Sequence, residues 1–143
     1  MRSSSRGSLR GRVDSRLVTS VHVVVAYAVL AGFGALALWA LGGFVFNRAP
    51  GTWFWNLLGA LQVTIGLQVV IGGILFFTGA RPDTSASTWL HYIYGAVFPA
   101  LVLGVAHRFA RRWSDLPWAV FGAAALVCFF SLFRALQTGF GWA

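Results

Sequence analysis

Two of the chain's three histidines, His22 and His91, stand at matched positions inside apolar stretches, the first and third of four. Each lies about one to two helical turns in from the start of its stretch. In a bundle of four antiparallel spans the first and third helices run the same way, so both imidazoles reach similar depth near one face. Two imidazoles facing each other across a bundle are the arrangement that holds haem iron from both axial sides. A diffusible ion such as zinc wants three or four ligands, and no third ligand stands at that depth. Taken singly, either histidine reads more simply as an interfacial residue bonded to a neighbour. The matched depth on parallel helices is what brings haem into view.

A flat macrocycle also needs room. Ala26 and Gly95 follow His22 and His91 by four residues and share their helix faces. Gly72 and Gly73, counted back from the end of the second stretch, come to comparable depth. Pro99 cannot donate to the carbonyl of Gly95, which predicts a bend beside that space. Arg16, Arg81 and Arg134 fall near the same interface, where guanidinium groups can pair with haem propionates. The plainer readings are that small residues pack membrane helices and that arginines snorkel to headgroups. Gln62 and Gln68 fall on opposite sides of the second helix and are each expected to bond across a helix pair. Gln68, one turn from Gly72, can also reach a bound cofactor or quinone. His107 stands 16 residues after His91, about 24 Å along a helix and on a different face, so the two cannot share a haem. It reads as an interfacial residue beside Arg108 and Trp113, with a quinone pocket or second cofactor as the other use.

The elements that must position these groups are transmembrane helices. The 143 residues are 58% hydrophobic and 10% charged, far from the roughly 25% charged residues of a soluble domain. Four apolar stretches, about 20–44, 54–78, 88–109 and 117–137, each match the ~20 residues a helix needs to cross a bilayer. Helices are required because lipid offers no partners to open backbone groups. The fold class expected is therefore all-α, an integral membrane four-helix bundle. Asn47 to Gly51 and Gly79 to Asp83 separate the first three spans. Ser85 or Ser87 can cap the third helix, and Ser114-Asp115 before Pro117 provides a cap and a first-turn proline for the fourth.

Residues 1–16 are Ser, Gly and Arg with one Asp, a composition that reads as a disordered basic tail. The first apolar run exceeds the 7–15 residues of a signal peptide's core and reads as a retained helix. The acid-poor tail also has the composition of an organelle transit peptide. The net charge of +8 would suggest nucleic acid in a soluble protein. Here the basic residues lie in tail and loops, where they set topology and meet anionic headgroups. An orientation with both termini in the cytoplasm of a bacterial inner membrane puts Arg2, Arg6, Arg10, Arg12, Arg16 and Arg81 inside, with Arg134 close by. Arg48, Arg108, Arg111 and Arg112 then lie outside. The seven tryptophans fall at the span ends, as interfacial belts require. No Asp or Glu lies within a span, which disfavours proton-coupled pumps and multidrug transporters. Cys128, alone in an apolar run, is a small core residue.

The stretch from Leu67 to Arg108, with Gln68-Val69, Gly72-Gly73 and then His91, resembles part of the haem A synthase family. The resemblance implies a four-helix bundle, half of such an enzyme, with a bis-His haem site in which His22 matches the first ligand. That family carries a Glu three residues before this His and an Arg directly after it, whereas this chain has Thr19 and Val23. The resemblance therefore implies a haem b site more than synthase chemistry, and small membrane cytochromes b are similar at the same level. Three functions follow as expectations. The first is a b-type cytochrome passing single electrons. The second is a cofactor-free accessory subunit of a larger membrane complex, or of a homodimer. The third is a haem-modifying enzyme.

Overall fold

The computed structural model describes residues 5–79, 88–113, 115–140 and 142, with side chains from Arg16 onward except that of Trp113. Helix α1 (Ser5–Val45) is followed by α2 (Thr52–Phe77), and a third rod is made of α3 (Thr88–Tyr92), a π-helical turn (Ile93–Val97) and α4 (Phe98–Trp113). Helix α5 (Pro117–Phe140) closes the bundle. Four segments are long and apolar enough to cross a membrane: Arg16–Val45, Thr52–Phe77, Thr88–Arg112 and Pro117–Phe140. Their outward faces suit lipid as well as their inward faces suit one another. Phe77, for example, is 87% exposed and Leu38 70%. The chain is an integral membrane four-helix bundle.

One seam organises the core. The buried positions of α1 are Val29, Phe33, Leu36, Ala40 and Gly43, and those of α2 are Phe54, Leu58, Leu61, Ile65 and Leu75. On α5 the seam runs through Trp118, Phe121, Ala125, Cys128, Ser131, Ala135 and Thr138. These positions advance mostly by three- and four-residue steps, the spacing of helices packed at small angles. Extending the same steps on α1 toward its N-terminus lands on Ala26 and His22. On α2 the steps from Ile65 to Leu75 pass through Gln68 and Gly72. The polar and small residues singled out in the sequence therefore occupy core positions. Close approach is set by glycine at two crossings: a Cβ on Gly32 would strike Leu61, and one on Gly122 would strike Ala40.

Helix α1 packs against both α2 and α5, and α4 packs against α5. Among the described residues, the third rod brings its backbone within 8 Å of α2 only at the π-helical turn. The seam between α2 and the third rod is thus pinned at the π-helical turn, near the α3 end, and looser along α4.

The ends of the helices follow backbone chemistry. Asn47 adopts φ 49°, and Arg48 N–H reaches back to the carbonyl of Gly43 (2.8 Å), the closure that ends a helix in a left-handed residue. Gly79, at φ 81°, ends α2 in the same region. Helix α5 starts at Pro117 with its first bonds to the carbonyl of Leu116, so Leu116 fills the cap position expected of Ser114-Asp115. Proline at the first helical position fixes that boundary. Ser85, Ser87 and Arg81 lie outside the described residues. Helix α1 starts at Ser5, so the backbone of residues 5–15 continues the helix that carries the first span. Extending an established helix avoids the cost of nucleating one, and no proline interrupts that stretch.

Pro99 produces a π-helical turn just ahead of it. Phe98 N–H bonds to the carbonyl of Ile93, five residues back, in place of Tyr94. The carbonyl of Tyr94 accepts from Ser131 Oγ of α5 at 2.8 Å. A buried hydroxyl on the neighbouring helix thus satisfies the group that the widened turn releases.

Candidate functional site

His22 and His91 face each other across the bundle, with ring centroids 6.3 Å apart and ring planes inclined at 58°. Each is held from a different helix. The Nδ1–H of His91 donates to the carbonyl of Ala135 on α5 at 2.9 Å. A carbonyl can only accept, so the proton sits on Nδ1 and Nε2 keeps its lone pair. The Oγ1–H of buried Thr138 donates to the same carbonyl at 3.0 Å. Gly139 makes this docking possible, because a Cβ there would stand 3.1 Å from Cε1 and Nδ1 of His91.

His22 is held through Gln68, whose Nε2–H donates to the backbone carbonyl of His22 at 2.8 Å. The amide also lies against the imidazole. Two buried atoms remain without hydrogen-bond partners, Nδ1 of His22 and Oε1 of Gln68. Gly72 leaves space on the other side, where a Cβ would come 3.6 Å from Cε1 of His22.

A cavity of about 580 Å³ adjoins the pair. Its walls include His22, Ala26, Gln68, Gly72, Gly73, His91 and Gly95 together. A smaller one of about 130 Å³ lies on the other side of the histidines, toward Thr19 and Gly139. Gly73 has nothing within 4 Å of a hypothetical Cβ, so it contributes open space. Gly95 lets α5 approach, with Ala135 Cβ 3.6 Å from where its own would be. That approach brings the Ala135 carbonyl to His91. Phe76 and Tyr92 meet edge to face at 5.6 Å and close one side.

Seven of the ten residues expected at the site are therefore gathered around one space. Arg16 and Arg134 line neither cavity; both are exposed, and Arg134 bonds Gln137 at 3.1 Å. Long guanidinium side chains at helix ends extend toward the interface, which draws these two away from the core. Ala135, Thr138 and Gly139 were missed by sequence reading. Their signal is the seam of α5, which places Ala135 and Thr138 on its buried face near the end that meets His91.

The chemistry open to the pair is limited by its ligand number. Among the described residues no group of three or more His, Cys, Asp or Glu side chains could hold a metal ion. Two facing imidazoles are too few for an ion that takes three or four ligands from protein. His107 stands apart at the other end of the bundle, its Nδ1–H donating to the carbonyl of Leu103 at 2.9 Å. Gln62 does not bond across a helix pair as expected; its Nε2 is buried without a partner. No known protein family, no curated protein and no solved structure matches this chain.

Proposed function

We propose that the chain is a small membrane b-type cytochrome that holds one haem between α1 and α3, with His22 and His91 as axial ligands, and serves electron transfer. The observation that carries this reading is the spacing of the two rings. A metal–imidazole bond of about 2 Å, with roughly 1 Å from nitrogen to ring centre on each side, separates two axial rings by about 6 Å. The observed separation is 6.3 Å. The Nδ1 bond of His91 supports it further, since metal-ligating histidines donate their other ring N–H to a carbonyl or carboxylate. The cavity volume falls within the range of cofactor pockets.

When bound, haem b supplies a reversible one-electron couple at its iron. The protein's part would be to present the two imidazoles, fix the His91 ring through Ala135, hold the His22 backbone through Gln68, and exclude water with an apolar lining. With both histidines as ligands the iron would keep no open position, which favours electron transfer over chemistry at an open site. The arginine distribution supports both termini lying in the cytoplasm of a bacterial inner membrane, with six arginines of the tail and the second loop on that side.

A second reading, an accessory subunit of a larger membrane complex or a homodimer, draws on a groove of about 650 Å³ between α1 and α5, lined by Gly34, Ala35, Leu38, Gly122 and Ala123 among others. Small residues of this kind let another helix approach closely. One spectrum separates the two. Detergent-purified protein is expected to show a Soret band and, with dithionite, sharp bands in the low-spin haem b region. A preparation that stays colourless after haem supplementation would overturn the cytochrome and leave the accessory subunit.

A further inference from the structure

At the other end of the loose seam between α2 and the third rod lies a cleft of about 340 Å³ that the histidine pair does not use. It is walled by Trp55, Gly59 and Gln62 of α2, by His107 and Arg111 of α4, and by Phe121 of α5. Three features give it a chemical character. Trp55 and Phe121 meet edge to face at 5.7 Å, and His107 and Phe121 do so at 4.8 Å, so the walls are aromatic and braced. His107 spends its Nδ1–H on the Leu103 carbonyl, which leaves Nε2 as an acceptor. Gln62 carries a buried amide nitrogen with no partner, on a terminal torsion soft enough to turn toward a carbonyl oxygen in the cleft.

We propose that this cleft binds the headgroup of a lipid-soluble quinone or quinol. The ring would lie against the Trp55 and Phe121 walls. One ring oxygen accepts from the Gln62 amide, and the other, as a quinol hydroxyl, donates to Nε2 of His107. A lipid phosphate fits less well, because it has no proton to give a bare imidazole nitrogen and gains only Arg111 at the rim. Gly59 leaves the entrance open, since a Cβ there would meet nothing within 4 Å. The assignment concerns binding alone and stands whether or not haem occupies the other end.

Equilibrium dialysis of the purified full chain in detergent against a tritiated decyl-benzoquinone tests it. One saturable site per chain is expected above linear partitioning into micelles. Gly59→Leu fills the cleft without disturbing a contact and should remove that site. Gln62→Leu should weaken it about tenfold, the loss of one hydrogen bond, and His107→Phe should do the same to the reduced quinol, dialysed anaerobically, whose hydroxyl donates to Nε2. Helicity and the visible spectrum are expected to be unchanged in all three, so loss of quinone binding is read separately from loss of colour. Binding that is only linear, or saturable but equal in native protein and Gly59→Leu, would overturn the proposal. So would displacement of the quinone by phosphatidylglycerol but not by a second benzoquinone, which would make the cleft a lipid site.

Discussion

The two halves of this bundle share one seam and differ in what fills it. Toward the C-terminus of α1 the seam carries Phe33, Leu36, Phe54 and Phe121, all buried, and it is plugged where α1, α2 and α5 meet, with the cleft beside His107 opening on its α4 side. Toward the N-terminus of α1 the same alternation carries Ala26, His22, Gln68, Gly72, His91 and Gly95, and it is hollow. Small residues, together with the π-helical turn at Ile93–Val97, separate the 580 Å³ cavity from a packed core. In lipid this contrast is not driven by the hydrophobic effect, because the membrane is as apolar as the side chains. The plugged half coheres through close packing and dispersion. The hollow half coheres through hydrogen bonds to backbone carbonyls, at Ala135, His22 and Tyr94.

The largest effect should come from the histidines. His22→Ala and His91→Ala are each expected to abolish the haem spectrum, whereas His107→Ala, at the plugged end, should leave it intact. Full Soret absorbance in His91→Ala would break the assignment of the hollow half as a ligand site. Next in size is a hole cut in the plugged half. Phe33→Ala removes a side chain that is fully buried, and at roughly 24 cal/mol per Å³ a phenyl-sized cavity costs about 2 kcal/mol. Thermal unfolding in detergent should register that loss, with the colour of the folded fraction unchanged. If stability did not move, packing would not be what holds this half together.

The contrast between the halves also decides what the sequence disclosed. The four spans were legible because hydrophobic runs long enough to cross a bilayer admit one secondary structure. The pairing of His22 with His91 was legible because both sit a similar distance into parallel helices. Ala26, Gly72, Gly73 and Gly95 followed from the same depth argument. The Ala135 carbonyl was not legible, since any residue offers a carbonyl and only the fold chooses one. The π-helical turn was half legible. Pro99 announced a fault in the helix, but its placement over Ile93–Val97 depends on Ser131 arriving from α5. The partnerless Gln62 nitrogen ran against expectation, because the close backbone approach between α2 and the third rod is confined to the π-helical turn.

A third test sharpens the division of labour inside the hollow half. Gln68→Leu keeps the size of the side chain and removes both its bond to the His22 carbonyl and the amide beside the ring. Loss of a group that orients a ligand typically costs 10–100-fold in affinity, and about tenfold weaker haem retention is expected here. Equal retention in native protein and Gln68→Leu would mean that the His22 ring is positioned by packing alone.

The smallest expected effect lies where the halves meet. Ser131→Ala leaves the Tyr94 carbonyl of the π-helical turn without its donor, and a hydrogen bond between membrane helices is worth about 0.6 kcal/mol on average. The third rod is expected to relax toward an α-helical turn, returning Phe98 N–H to Tyr94. Such a change rotates His91 relative to Pro99 and Leu103, which the π-helical turn now separates from it. The reduced haem spectrum reads that rotation more sensitively than a melting curve does, because ring orientation alters the axial ligand field. A broadened or shifted reduced band with near-native stability is therefore the expected outcome. An unaltered spectrum together with a lowered melting point would instead assign Ser131 to holding α5 against the third rod, and leave the π-helical turn to Pro99 alone.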